Sequence, residues 1–178
     1  MKLPSRPDAV GAGVTAYIGL GSNLGKPTVQ VRRAFTELSA LPETRLAAYS
    51  HLYKSRPLGP QNQPDYINAV AALHTRLQPL ALLRALHAIE CRHGRRRETE
   101  LHWGPRTLDL DLLVYADETL HTPELTLPHP GVHQRSFVLY PLAEVAPALM
   151  IPGHGPVRLL RDRCRSPAVE ICKETPDE

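Results

Sequence analysis

At 178 residues the chain has room for one ordinary domain, or one domain with tails. With 42% hydrophobic and 22% charged residues it is too apolar for a disordered chain, and no apolar run approaches the roughly 18–20 residues of a membrane span. A formal net charge of only +3 leans weakly toward anionic partners and falls far short of a nucleic-acid-binding tail.

Residues 1–14 hold no apolar signal-type core, because Pro4, Pro7 and Asp8 interrupt them, and they read as a disordered leader. Thr15–Leu20 reads as a first strand, ended by the turn-rich Gly21-Ser22-Asn23-Leu24-Gly25. A helix follows from Pro27 or Thr28, with Val31, Ala34, Phe35, Leu38 and Leu41 at helical spacing and Pro42 as its stop. Leu46–Tyr53 suits a second strand. Ser55–Asp65 holds three prolines and a glycine and reads as a rigid loop.

Tyr66–Thr75 is a third strand, and Pro79 opens a second helix with a stripe of Leu82, Leu83, Leu86 and Ile89. Arg92–Arg106 is charged and aperiodic, a mobile loop. Asp109–Tyr115 is a fourth strand; a further loop spans 122–131, and Gln134–Ala146 is helical in parts. The order β-α-β-β-α-β predicts an α+β, ferredoxin-like fold with an antiparallel sheet and long functional loops. One domain spans residues 15–161, and residues 162–178 read as a loosely attached tail. Three cysteines, Cys91, Cys164 and Cys172, lack any zinc-like spacing or disulfide framework, which places the chain in a reducing cytoplasm.

The sharpest chemical signal is Asp109-Leu110-Asp111 at the start of the fourth strand. Residues two apart on a strand share a face, so both carboxylates project together while Leu110, Leu112 and Val114 face the other way. Two like charges about 7 Å apart repel unless a cation lies between them, and oxygen ligands without His or Cys neighbours favour Mg²⁺. The alternative is two acids on a solvated sheet face. Upstream lie Arg92, Arg95, Arg96, Arg97 and Arg106, whose guanidinium forks match phosphate oxygens, or which form a solvated charge run. Read together, the acids and arginines favour nucleotide-phosphate chemistry.

Gly19–Lys26 resembles a phosphate loop, but its spacing is one residue too long and Pro27 replaces the metal-binding hydroxyl, so it reads as a tight turn. His129 and His133 lack a third ligand for zinc, and His129 suits a phosphate contact better. Tyr66 and Asn68 share one side of the third strand, where a ring and an amide suit a flat, hydrogen-bonding heterocycle; Trp103 and Phe137 extend that surface. Each of these aromatics has the plainer reading of a half-buried core residue.

Several stretches together resemble the 6-hydroxymethyl-7,8-dihydropterin pyrophosphokinase family of folate biosynthesis. They are Gly21–Gly25, Pro57–Asn68, the string Trp103-Gly104-Pro105-Arg106-Thr107-Leu108-Asp109-Leu110-Asp111, and Pro128-His129 through Arg135, Phe137 and Pro141-Leu142. The resemblance implies transfer of the β,γ-pyrophosphoryl group of ATP to the pterin hydroxymethyl, leaving AMP. Carried over, Asp109 and Asp111 hold two Mg²⁺ ions, and Arg95, Arg97 and Arg106 contact the triphosphate. Glu90, Trp103, Leu112, Thr126, His129 and Arg135 fall at ATP-side positions. Ser55, Arg56, Leu58, Tyr66, Asn68, Trp103, Asp109 and Phe137 fall at pterin-side positions.

His102 stands where the family has an arginine before the tryptophan, and the Gly94–Trp103 loop is one residue longer, so Arg96 competes with its neighbours for the phosphate. The expected partners are these two small molecules, bound by a monomer, with no nucleic acid or membrane. A ferredoxin-like RNA-binding module and a catalytically silent regulatory domain are the competing functions.

Overall fold

The computed structural model describes residues 13–96 and 104–173. Strand β1 (Val14–Ser22) leads into helix α1 (Pro27–Ser39), strands β2 (Thr44–Tyr49), β3 (Tyr53–Ser55) and β4 (Tyr66–Thr75), helix α2 (Pro79–Arg92) and strand β5 (Asp109–Tyr115). Then come the hairpin of β6 (Leu120–His121) and β7 (Thr126–Leu127), helix α3 (Ser136–Val145) and the hairpin of β8 (Met150–Ile151) and β9 (Gly155–Pro156). Helix α4 (Val157–Arg163) and strand β10 (Glu170–Ile171) complete the described chain.

The main sheet is antiparallel throughout, in the order β10-β3-β4-β1-β5, with β2 beside β3 along the same edge of β4. Helix α1 carries the chain from β1 past β4 to β2, and α2 carries it from β4 past β1 to β5, which gives the α+β architecture expected from the sequence. Each helix starts with proline at its first turn, where the missing N–H costs nothing. Each then buries one stripe against the sheet: Val31, Ala34, Phe35 and Leu38 from α1, Leu82, Leu86 and Ile89 from α2. The opposite face of the sheet is covered by α3 and α4, where Val138, Leu139, Leu142 and Val157 pack on Val70, Leu113 and Val114. Covered on both faces, β4 buries every residue from Asn68 to Leu73, which explains its unbroken apolar run.

Two sequence expectations are corrected. The single strand Leu46–Tyr53 is broken into β2 and β3. Ser50 Oγ accepts the Val70 N–H at 3.0 Å, and Glu144 of α3 accepts the His51 N–H at 3.0 Å, so the chain leaves the ladder there. Val114 does not share a face with Leu110 and Leu112. A bulge in β5 opposite Tyr17 and Ile18 inserts one residue, so Leu113 and Val114 both belong to the core beneath α3, while Leu110 and Leu112 lie beneath α1 and α2.

The segment after Arg161 is held at several points. Ser136 Oγ donates to the Pro167 carbonyl, β10 pairs with Tyr53 and Lys54 of β3, and Cys172 N donates to Leu52 O at 2.8 Å.

A polar cluster ties α1 to the end of α2. Glu37 Oε1 lies 2.7 Å from His93 Nε2, and Arg92 reaches Glu37 Oε2 at 2.8–2.9 Å. Burial pushes the Glu37 carboxyl up, but the bonds from Arg92 and His93 outweigh it and hold it below its usual range. Its contribution to stability is therefore complete above the unfolded value of about 4.3 and is lost as pH falls through the lower folded value. Glu37→Gln is expected to cost about 1 kcal/mol at pH 7 by urea unfolding, with the gap to wild type narrowing as pH falls below the usual carboxylate range. A gap that persists in acid would show that the contribution is not ionic.

Candidate active site

The β5 register sets the site. Asp109 lies opposite Gly21 of β1, and Asp111 lies opposite Gly19. On the other side of β1, Gly21 lies opposite Asn68 and Gly19 opposite Val70 of β4. Directly paired residues on antiparallel strands share a face, so Asn68, Gly21 and Asp109 form one cross-strand row. With glycine in the middle, the floor between amide and carboxylate is bare backbone. A cleft of about 720 Å³, counting its open mouth, stands over this floor.

The expected residues fall around it in two groups. Ser55, Arg56, Leu58, Tyr66, Asn68 and Phe137 line one side; Arg106, Asp109, Asp111 and Arg135 line the other. Asn68 Nδ2 donates to Ser55 Oγ at 2.8 Å and more weakly to Tyr53 O at 3.4 Å. Its Oδ1 faces Gly21, where a Cβ would stand 3.4 Å from it, and so is turned toward the cleft. Tyr66 OH donates to Gly104 O at 2.8 Å, which pins the ring edge-on to the segment leading into β5.

Asp109 is the hub of the charged side. Arg95 Nη1 bonds its Oδ1, and Arg106 Nη1 donates to its Oδ2 at 2.7 Å. Arg95 is buried and also donates to Glu90 Oε1 at 2.6 Å, which in turn accepts the Leu110 N–H at 2.7 Å. Burial raises the Asp109 pKa, but the two arginines reverse this and hold it below the usual carboxylate range. Asp111 goes the other way: burial first, then the charges of Asp109 and Glu90, push it up to about 7. An acid that its neighbours disfavour as an anion suits a cation. Among the described residues no cluster of three or more His, Cys, Asp or Glu surrounds a metal position, so two carboxylates plus ligand oxygens is the donor set available.

His129 stands beside Asp111, its Nε2 3.9 Å from Oδ1. Burial, then the Arg135 charge, push its pKa down to about 4, and its Nδ1 accepts the Gly131 N–H at 3.0 Å. The ring near pH 7 is thus neutral with its proton on Nε2, a hydrogen-bond donor rather than a cation. Gly131 also makes room for Arg135, whose Nε lies 2.4 Å from where a Cβ would stand.

Other expectations find different places. Glu90 is 1% exposed and acts on the site through Arg95 and Leu110 rather than lining the cleft. Leu112 is packed beneath α1 and α2, and Thr126 pairs with His121 in the β6–β7 hairpin. Arg97, His102 and Trp103 lie outside the described residues.

The glycine stretch does form the expected turn, with Gly25 and Lys26 at φ of 62° and 60°. It does more than turn, because Gly19 and Gly21 supply the floor. Two glycines at strand spacing are the mark the sequence carries; that they face two acids at the same spacing is set by the strand pairing.

The family model for 7,8-dihydro-6-hydroxymethylpterin-pyrophosphokinase matches residues 17–147, which include the whole cleft. The chain belongs to this family. Similar pyrophosphokinases include 2-amino-4-hydroxy-6-hydroxymethyldihydropteridine pyrophosphokinase of Pseudomonas aeruginosa, 54% identical over 136 residues, covering 76% of this chain and 83% of that protein. The Haemophilus influenzae protein of the same name is 50% identical over 140 residues, covering 79% and 86%.

Among solved structures, wild-type Plasmodium falciparum HPPK-DHPS superposes with a TM-score of 0.67 at 14% identity, over 85% of this chain and 45% of that longer one. That likeness concerns the fold. Pyrophosphoryl transfer in folate synthesis is the activity of the pyrophosphokinase family, and neither RNA binding nor a silent regulatory role is supported by these relationships. No described helix is long and apolar enough to cross a membrane.

Proposed function

We propose that this cleft transfers the β,γ-pyrophosphoryl group of ATP to the hydroxymethyl oxygen of 6-hydroxymethyl-7,8-dihydropterin, with Mg²⁺ required. The observation that carries the reading is the row Asn68–Gly21–Asp109, which sets an amide and a charged cluster on either side of a bare floor. The pterin ring would lie over Gly21, with the Asn68 Oδ1 accepting from its ring edge and Phe137 and Tyr66 as walls. Arg106 and Arg135 face the triphosphate, and the neutral His129 donates from Nε2. Asp109 and Asp111 would hold two Mg²⁺ ions, which supply charge neutralisation along the polyphosphate.

The hydroxymethyl oxygen forms a bond to the β-phosphorus while the bond from that phosphorus to the α,β-bridging oxygen breaks. AMP leaves with the bond's electrons, and the hydroxyl proton passes to solvent. The protein's contribution is alignment and charge compensation. The enzyme would act as a monomer, and the free thiols of Cys91, Cys164 and Cys172 support a cytoplasmic setting.

Incubation with ATP, Mg²⁺ and the pterin, followed by AMP measurement, tests the reading: AMP should form only when both substrates are present. Asn68→Ala should raise the KM for pterin about 10- to 100-fold and leave that for ATP within about twofold, as expected when one ring-edge hydrogen bond is removed. Equal changes in both KM values would count against the pterin placement.

A further inference from the structure

We propose that Glu144 is a positioning residue for the pterin: acting through Tyr53 and β3, it fixes the direction in which the Asn68 carbonyl meets the ring. The proposal rests on the placement of the pterin made above. Tyr53 lies opposite Asn68 in the β3–β4 ladder, so the row across the cleft floor begins at Tyr53 and runs through Asn68 and Gly21 to Asp109. Glu144 holds the far end of that row from α3. Its Oε2 accepts the Tyr53 O–H at 2.6 Å; its Oε1 lies 2.7 Å from His51 Nδ1 and accepts the His51 N–H at 3.0 Å.

Both amide protons of Asn68 point to β3, toward Ser55 Oγ and Tyr53 O. The oxygen on the other arm of the planar amide therefore faces away from β3 and into the cleft. Tyr53 and Ser55 lie two apart on the buried face of β3, while Lys54 between them is exposed. That strand is only three residues long and its outer neighbour β10 only two, so the ladder alone holds it weakly. Burial raises the Glu144 pKa, but the bonds from Tyr53 and His51 outweigh it and hold the carboxyl below its usual range. Burial, then the bond to Glu144, push the Tyr53 hydroxyl up. Near pH 7 the pair is a neutral phenol donating to a carboxylate, a charge-assisted bond stronger than one between neutral groups. Phe137 stands seven residues before Glu144 on the same side of α3, so the carboxylate also ties β3 to the helix that carries the aromatic wall.

The test is made on the full chain with steady-state kinetics for each substrate and urea unfolding. Tyr53→Phe removes the hydroxyl and keeps the ring. It should raise the KM for pterin about 3- to 10-fold while the KM for ATP stays within about twofold. Glu144→Ala should act in the same direction and at least as strongly. Glu144→Gln should recover most of the loss, because its Oε1 still accepts from His51 and its Nε2 can donate to the Tyr53 oxygen. In an Asn68→Ala background, Tyr53→Phe should no longer change the KM for pterin, since the group it orients is gone. Tyr53→Phe serves if Glu144→Ala fails to fold.

A residue that only stabilised the fold would lower the unfolding midpoint and the active fraction without splitting the two KM values. The proposal is overturned if Tyr53→Phe moves both KM values equally or neither, or if its effect on the KM for pterin is the same with and without the Asn68 amide. A wild-type chain that forms no AMP would overturn the functional reading and this proposal together; an active wild type with no split would overturn this one alone.

Discussion

Asp109→Ala and Asp111→Ala should each lower AMP formation by at least about 10³-fold at saturating ATP and pterin, the scale expected when a charge-compensating ligand of a phosphoryl-transfer site is lost. The two variants should then part company in stability. Asp109 is the shared acceptor of Arg95 and Arg106, and its removal leaves the buried Arg95 without that partner. Breaking such a network costs roughly 2–4 kcal/mol in urea unfolding, toward the low end here because the cleft admits water.

Asp111 is the opposite case. Burial and the neighbouring charges of Asp109 and Glu90 disfavour its ionised form, so Asp111→Asn should leave the metal-free protein as stable as wild type at pH 8, or more so, while activity is lost. Substantial turnover by Asp111→Ala, or an Asp111→Asn protein that unfolds more easily than wild type, would argue against a cation-holding role.

Arg95→Ala should combine both kinds of loss. Its guanidinium joins Glu90, late in α2, to Asp109, at the start of β5, and so ties the helix that leads to the basic segment to the strand that carries the acids. Without it, kcat/KM should fall about 10²- to 10³-fold, and stability should fall by about 3 kcal/mol, because two carboxylates are left facing one another across a buried gap. Arg95→Lys should recover part of the stability and little of the activity, since an ammonium lacks the planar guanidinium that bridges Glu90 and Asp109. Kinetics and urea titration on the same preparations separate the two effects. An Arg95→Ala chain that unfolds like wild type would refute the structural half of this account.

Much of this arrangement could be read from the residues alone. Strands 66–75 and 109–115 emerged with their observed limits because turn residues bound both, and their apolar content is unbroken where the sheet is covered on both faces. The acid pair was visible because strand periodicity alone puts Asp109 and Asp111 on one face. Most of the side chains singled out by the family resemblance line one cleft.

The rest depends on pairing between distant segments. Gly19 and Gly21 form a floor only once β5 and β4 flank β1. The bulge that turns Val114 over has no local mark, because it is a mismatch between two strands. Helix α4 and strand β10 have no local mark for a similar reason: each is short and draws its stability from contact with α3 and β3 rather than from its own pattern.

The bare stretch of β1 carries one more implication. Side chains can swing between rotamers, whereas peptide planes clamped in a ladder on both edges cannot. An acceptor resting on Gly21 would thus be levelled by the main chain itself, and the surrounding walls could be exchanged to admit bulkier or more polar rings without altering the height at which the alcohol meets the phosphorus. Substitutions at Arg56, Leu58 and Phe137 should therefore tune which heterocycle is accepted, while a methyl group added to Gly21 would lift every one of them off the line of attack.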